Sequence, residues 1–276
     1  MPEIVTVESG ATVAEALRDA TSVLAGAGCD TSRLDAELLL ASVLGVCRER
    51  LVVDARAELD AETLARFDQL VSRRAAHEPV AYILGRKAFR RIELVVDRRV
   101  LIPRPETELL VEVGLTLPVG ASVVDVGTGS GAVALSLKSE RPDLAVLGTD
   151  VDGGALAVAR ENGSRLGLEV EFFQSDLLDG VGRRFDAVLA NLPYVAEASS
   201  LPPDIALYEP ALALFAGPDG LDLIRRLLGM VDEVPLVALE VGLPEAVESL
   251  ARGVGFRSVD RLRDLAGHER VVVARR

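Results

Sequence analysis

The chain has no tryptophan, two cysteines, two histidines and few aromatic residues of any kind, 4% in all. Each scarcity excludes a class of function. So few flat side chains provide no platform on which successive bases of a single strand stack. Cys29 and Cys47 lack the close spacing and accompanying histidines of a zinc site, and two cysteines make no disulfide framework, so both read as small helix-packing residues. His77 and His268 share no ligand-like spacing, and no metal is expected. No apolar run reaches the ~18 residues of a membrane span. The opening "MPEIVTVESG" lacks the charged start and apolar middle of a secretory signal, so a cytoplasmic location away from membranes is expected. Positive charge is in deficit too, the formal net charge being -13. That argues against direct contact with nucleic acid, because non-specific binding needs basic side chains to displace counterions from phosphates.

What the chain does have is aliphatic bulk: 49% of its 276 residues are apolar. Its length suits one large domain plus a smaller one. The first third reads as helices. Thr12 and Glu15 form a capping box ahead of "VAEALRDATSVLAGAG", which Gly26 and Gly28 can end. "TSRLDAELLLASVLGV" is a second amphipathic helix, and "DAETLARFDQLVSRRAAH" a third with Asp60 at its N-cap. A small helical domain over residues 1–77 follows. The period then changes, and the Val- and Ile-rich "FRRIELVVDRRVLIP" reads as a β-hairpin within a linker over residues 78–104. In "RPETELLVEVGL", Pro105 suits the first turn of a helix and Glu106 and Glu108 suit its positive end.

Over residues 105–276 strands and helices alternate. "SVVDV", "AVLGTD", "VEFFQ", "FDAVLAN" and "PLVALEVG" are short apolar strands, with helices between them, and the tail adds two more around a turn at Ala266-Gly267. The expected fold is α/β: a seven-stranded, doubly wound, mostly parallel sheet with its last two strands antiparallel at one edge.

In such sheets ligands bind beyond the carboxyl ends of the strands. The first strand ends at Asp125 and runs into Gly127, Gly129 and Gly131, which allow a tight turn and close backbone approach. Taken alone, this loop could serve a dinucleotide, a phosphate or a nucleoside. Gly-x-Gly-x-Gly departs from the Gly-x-Gly-x-x-Gly usual for pyrophosphate, however, and a carboxylate directly ahead of it suits an ammonium group. The second strand ends at Asp150, where a carboxylate can accept both hydroxyls of a ribose. After the third strand come Asp176, an acceptor for an exocyclic adenine amine, and Leu177, a surface for the ring. Any one Asp is an ordinary cap or turn former. Three at successive strand ends, with a glycine loop, describe a site for S-adenosylmethionine.

The fourth strand then delivers Asn191-Leu192-Pro193-Tyr194. A carboxamide or adenine nitrogen is a poor nucleophile because its lone pair is delocalised. The Asn191 side-chain carbonyl and the Leu192 backbone carbonyl can accept its two N–H hydrogens, aim it and stabilise the developing positive charge. Pro193 holds Leu192 extended, and Tyr194 packs against the planar group. No histidine base is required.

"EPVAYILGRKAF", "VLIPRPETELLVE", "DVGTGSGAVALSL", "FDAVLANLPYV", "EPALALFAGPDGL" and "DLAGHERVVV" follow one another as in the bacterial release factor glutamine methyltransferases, which the chain resembles along nearly its whole length, least over the helical third. The resemblance implies a class I methyltransferase that uses S-adenosylmethionine to methylate N5 of the glutamine in the Gly-Gly-Gln motif of class I peptide chain release factors. It further implies that Gly127, Thr128, Gly129, Ser130, Gly131, Asp150, Leu177 and Asn191 contact the cofactor or the point of methyl transfer, and that residues 191–194 hold the substrate glutamine. The family usually has Asn-Pro-Pro-Tyr, so Leu192 is a departure that gives the loop freedom. "EVGLPEAVE" also departs from the family pattern, and the role of residues 239–248 stays open.

Asn-Leu-Pro-Tyr is the form seen in the ribosomal RNA adenine dimethyltransferases as well, so N6-adenine or N2-guanine methylation of RNA or DNA is the alternative. The chain is acidic and carries its helical domain first, whereas those RNA enzymes look basic and carry theirs last. A non-catalytic nucleoside-binding or adaptor protein is a third reading, opposed by the retention of both Asn191 and Tyr194.

Overall fold

The computed structural model describes residues 10–276. The first nine residues, which fall within the expected helical domain and the N-terminal stretch read above for a signal, lie outside the described residues. Two compact units form. One contains the described residues up to Gly85 together with Pro202–Tyr208, and the other contains Arg86–Leu201 and Glu209–Arg276.

The first unit is helical: α1 (Val13–Gly26), α2 (Ser32–Leu44), α3 (Arg48–Val53), α4 (Ala61–Ala75) and α5 (Val80–Leu84). The capping box read from sequence is made. The Thr12 hydroxyl accepts from the Glu15 backbone N–H at 3.3 Å, and the Glu15 carboxylate accepts the Thr12 backbone N–H at 2.8 Å. Asp60 caps α4 by accepting from the Thr63 N–H at 2.7 Å. Leu17, Leu24, Leu39, Leu40, Phe67 and Val71 form the core. Through it runs a buried ion pair, Arg74 Nε to Asp35 Oδ2 at 2.7 Å, between α4 and α2. Cys29 is buried, as a packing residue should be, but Cys47 is exposed at the start of α3, contrary to the packing role expected of it. Within this unit the Tyr208 hydroxyl donates to the Ala76 carbonyl at 2.9 Å.

The second unit begins with a hairpin, β1 (Arg86–Phe89) and β2 (Ile92–Val95), that turns at Arg90 and starts three residues before the stretch read as a hairpin. A 3₁₀ turn at Pro105–Thr107 leads into α6 (Glu108–Leu115). Then come β3 (Ser122–Val126), α7 (Ala132–Glu140), β4 (Ala145–Asp150), α8 (Gly153–Leu166), β5 (Glu171–Gln174) and β6 (Ala187–Ala190). After the short helix α9 (Pro203–Tyr208) of the first unit, the chain continues through α10 (Asp222–Leu228), β7 (Leu236–Glu240), α11 (Pro244–Gly253), β8 (Ser258–Arg263) and β9 (Glu269–Arg275).

The seven strands stand in the order β5-β4-β3-β6-β7-β9-β8. All pairs from β5 to β7 are parallel, and β9 pairs antiparallel with both β7 and β8. Fold class, strand count and the antiparallel edge match the expectation. Because β4 and β6 flank β3 on opposite sides, their following loops diverge and leave a crevice at its carboxyl end. Val124, Val188, Val237, Ile224, Leu227 and Val247 pack on one face of the sheet. Register fixes what lines the crevice. Val126 pairs with Thr149 and with Ala190, and Ala190 pairs with Leu239. One residue further on, Gly127, Asp150, Asn191 and Glu240 therefore stand at the same level, in four adjacent strand ends.

Candidate active site

A cavity of about 290 Å³ opens at that level, near the lower end of the ~300–1,000 Å³ usual for small-molecule sites. Of the residues singled out in the sequence, Asp125, Gly127, Thr128, Gly129, Ser130, Asp150, Asp176, Leu177, Asn191, Leu192 and Pro193 line it. Gly131 and Tyr194 do not. Gly131 is the N-cap of α7 with φ 82°, and Tyr194 lies behind the loop with its ring against Gly242. A broader cleft beside β8 and β9 is lined by Arg261, Arg263, Glu245 and Glu269, whose charges oppose one another in ion pairs.

The three carboxylates differ in what already occupies them. Asp125 is buried, and its Oδ2 accepts from the Thr128 hydroxyl at 2.6 Å and from the Ala134 N–H at 3.1 Å. Gly131 has no side chain to cap α7, so Asp125 caps it from the strand. The capping role that the sequence argument set against a ligand role is therefore real for this residue, and one oxygen is committed to it. Burial pushes its pKa up to about 6, against the lowering effect of those two bonds.

Asp150 accepts from the Gly129 N–H and the Asp152 N–H, both at 2.9 Å, and so ties the end of β4 to the glycine loop. Its pKa is raised by burial, opposed by those backbone bonds. Asp176 is half exposed at the rim, where Arg226 donates to its Oδ2 at 2.8 Å.

Two further features shape the pocket. Leu177 is buried in a left-handed conformation, φ 57°, which costs a branched side chain roughly 1–2 kcal/mol. The Thr149 hydroxyl donates to its carbonyl at 3.1 Å and helps hold it there. Asn162, fully buried on α8, donates to the Val95 and Ser130 carbonyls at 3.0 Å and accepts from the Val95 N–H at 2.7 Å. One amide thus joins the hairpin to the glycine loop with its donors and acceptor in use.

Leu192, in the position of the family's usual proline, is buried. Its Cδ2 lies 3.1 Å from where a Cβ on Gly127 would stand, so packing restrains the freedom that losing the ring gives. Beyond Tyr194 the chain is anchored to residues 214–217: Val195 N–H donates to the Leu214 carbonyl at 2.9 Å, and Ala216 N–H to the Val195 carbonyl at 3.0 Å. Arg104, from "LIPRPETE", pairs with the buried carboxylate of Glu209, from "EPALAL", so these two stretches meet in one ion pair.

Sequence reasoning missed a chain of polar contacts that runs from Asn191 and Thr107 in the cavity wall to Glu240 behind it. Asn191 Nδ2 donates to the Thr107 hydroxyl at 3.1 Å, that hydroxyl donates to Glu240 Oε2 at 2.6 Å, and the Tyr194 hydroxyl donates to Glu240 Oε1 at 3.4 Å. Glu240 is buried, and burial raises its pKa to about 7. Burial, with the Glu240 charge second, pushes Tyr194 up to about 12, so its phenol stays a donor. The available signal was a lone charge ending the run "LVALE", inside the stretch whose role was left open.

The donor set fits S-adenosylmethionine. Carboxylates stand at successive strand ends, the loop backbone is accessible through glycines with φ 73° and 55° at Gly127 and Gly129, and Val100, Leu101, Val133, Val151, Leu177 and Leu212 give apolar walls.

Residues 15–85 match the PrmC N-terminal domain and residues 105–205 the methyltransferase small domain. Among solved structures, a methyltransferase from Pyrococcus furiosus aligns with a TM-score of 0.52 at 20% identity, covering 66% of this chain and 87% of its own. The hMettl16 catalytic domain, in complex with a MAT2A 3′UTR hairpin, aligns with a TM-score of 0.54 at 17% identity, covering 74% and 80%. At those identities the likeness is one of fold. The release factor glutamine methyltransferase of Caulobacter vibrioides is 40% identical over 95% of this chain and 96% of its own, and that of Moorella thermoacetica 41% identical over 96% and 99%. With this identity carried from end to end, the chain belongs to the release factor glutamine methyltransferase family.

Proposed function

We propose that this protein transfers a methyl group from S-adenosylmethionine to the side-chain N5 of the glutamine in the Gly-Gly-Gln motif of class I peptide chain release factors. The carrying observation is the level set by strand register, at which Asn191 stands beside the glycine loop and Asp150. The cofactor supplies an electrophilic methyl on a sulfonium. Asp150 would receive the ribose hydroxyls, Asp176 and Leu177 the adenine, and the backbone of residues 127–130 with Asp125 the amino acid part. Asn191 Oδ1 and the Leu192 carbonyl accept the two N–H hydrogens of the substrate amide and turn its nitrogen toward the methyl. Positive charge developing on the substrate nitrogen as it is methylated would lie next to these two acceptors, and the proton that the nitrogen sheds would leave for solvent. Preorganised acceptors of this kind are worth roughly 3–4 kcal/mol each, and alignment up to about 7–11 kcal/mol.

One glutamine offers little surface for selectivity, so residues 1–77 are assigned to recognising the release factor, residues 78–104 to linking, and residues 105–276 to methyl transfer. A cytoplasmic location, without membrane or direct nucleic-acid partners, belongs to the same reading. No helix among the described residues is long and apolar enough to cross a membrane.

Transfer of labelled methyl to a purified class I release factor, beside its Gly-Gly-Ala variant and beside ribosomal RNA, tests the reaction and the acceptor together. Label is expected on the intact factor alone. Label on RNA alone would overturn the proposal in favour of adenine.

A further inference from the structure

The geometry points to Thr107 and Glu240 as positioning residues that set which way the Asn191 amide faces. This inference rests on the role proposed for Asn191.

A hydroxyl carries one hydrogen, and its direction decides the rest of the chain. The Thr107 Oγ1 to Glu240 Oε2 separation of 2.6 Å is that of a strong hydrogen bond to a charged acceptor. An ionised carboxylate only accepts, so the Thr107 hydrogen points at Glu240 and its lone pairs point away. Thr107 then offers Asn191 an acceptor and nothing else. The Asn191 Nδ2 takes that place at 3.1 Å, which leaves Oδ1 on the opposite branch of the amide, in a residue that lines the cavity. An amide turned the other way would present N–H groups to a substrate nitrogen that itself carries N–H groups, and transfer would be misaligned.

Protonation of Glu240 lifts the constraint, because the acid can donate to Thr107 and Thr107 can then donate to Asn191. The groups facing Glu240 are Thr107 and Glu106 from the 3₁₀ turn, Tyr194 from the loop after β6 and Arg270 from β9. Burial and Glu106 favour the protonated form, while Thr107, Tyr194 and Arg270 favour the charged one. The balance brings its titration to about 7, within reach of a pH profile.

The test follows turnover of the release factor from about pH 6 to 9 in the wild type, Thr107→Val, Thr107→Ser, Glu240→Gln and Asn191→Ala, with S-adenosylmethionine affinity measured alongside. In the wild type kcat falls on the acid side. Thr107→Val, isosteric but without the hydroxyl, lowers kcat about tenfold or more, keeps cofactor affinity within about threefold, and flattens the acid limb; Thr107→Ser restores both rate and limb. Glu240→Gln has nothing to titrate near pH 7 and loses that part of the limb whatever its rate, keeping at most the fall near pH 6 that Asp125 can cause, so the inference stays testable if Thr107→Val folds poorly. A limb that persists near pH 7 in Glu240→Gln, or a Thr107→Val enzyme as fast as wild type while Asn191→Ala is slowed about a hundredfold, overturns the positioning role alone. An Asn191→Ala enzyme of normal rate overturns instead the role of Asn191 beneath it.

Discussion

At the scale of single residues, Asp150 carries two duties through one carboxylate. It holds the Gly129 and Asp152 backbone N–H groups, and under the proposed function it also accepts the ribose hydroxyls. Asp150→Ala should therefore weaken S-adenosylmethionine binding by on the order of 2–3 kcal/mol, about 30- to 160-fold in dissociation constant. Asp150→Asn, which keeps an acceptor for Gly129, should fall between the two. Calorimetric titration checks both, and an unchanged constant in Asp150→Ala would place the ribose elsewhere. The positions of Asp125, Asp150, Asp176 and Asn191 near the carboxyl ends of strands were legible in the sequence from the short strand-like runs before them, though Asp125 lies one residue inside β3 instead of ending it and Asp176 lies two residues beyond β5. Their present partners were not. Thr107 and Glu240 meet only through sheet register and the packing of the 3₁₀ turn, neither of which leaves a local pattern. The capping of α7 by Asp125 was hidden for the same reason, since the residue at the cap itself is a glycine.

At the scale of elements, the loop that bears Asn191 is held by a glycine well outside its own motif. A Cβ on Gly220, whose φ is 75°, would lie 2.3 Å from the Tyr194 carbonyl oxygen, a backbone atom that cannot step aside. Gly220→Ala adds left-handed strain of about 1 kcal/mol to that clash, so residues 194–197 must shift from the strip at 214–217 that anchors them. Turnover should fall at least tenfold while S-adenosylmethionine, which the proposed function places on the loops after β3, β4 and β5, binds within a few fold. Steady-state kinetics beside equilibrium binding separates the two, and an equal loss in both would show damage spreading into the sheet. The elements themselves divide by length. All seven strands of the main sheet and the helices α1 and α4 were read correctly because alternating blocks or a 3.6-residue period run long enough to be seen, whereas α2 is a helix as expected but not an amphipathic one, with Leu34 exposed and Leu39 and Leu40 buried. The helices α3, α5 and α9 have only five or six residues, less than two turns, and give no period to detect.

At the scale of the whole molecule, the carboxylates pull stability in opposite directions with pH. Arg141 beside Asp143, Arg99 beside Asp97 and Arg90 beside Glu140 hold those groups below their ordinary values, so their contribution is present near neutrality and is lost as pH falls through the acid range. Glu240 and Asp125 act the other way. Burial raises Glu240 from 4.5 to about 7 and Asp125 from 3.8 to about 6. Between those limits the native protein keeps protons that the unfolded chain has released, and stability declines as pH rises through the window. The two trends place the thermal midpoint at its highest near about pH 5, with a fall toward pH 8. For Glu240 alone the cost of the buried charge is on the order of 3 kcal/mol at the upper end. Glu240→Gln should therefore raise the midpoint by several degrees at pH 8 and leave it nearly unchanged at pH 5, where the wild-type side chain is already neutral. Melting curves at the two pH values decide this, and a pH-independent difference would mean that the glutamine acts through packing instead of charge. The expected result makes Glu240 a site where fold and reaction want different protonation states: the fold is strongest with the proton on, and the Asn191 amide is held in its accepting orientation with the proton off.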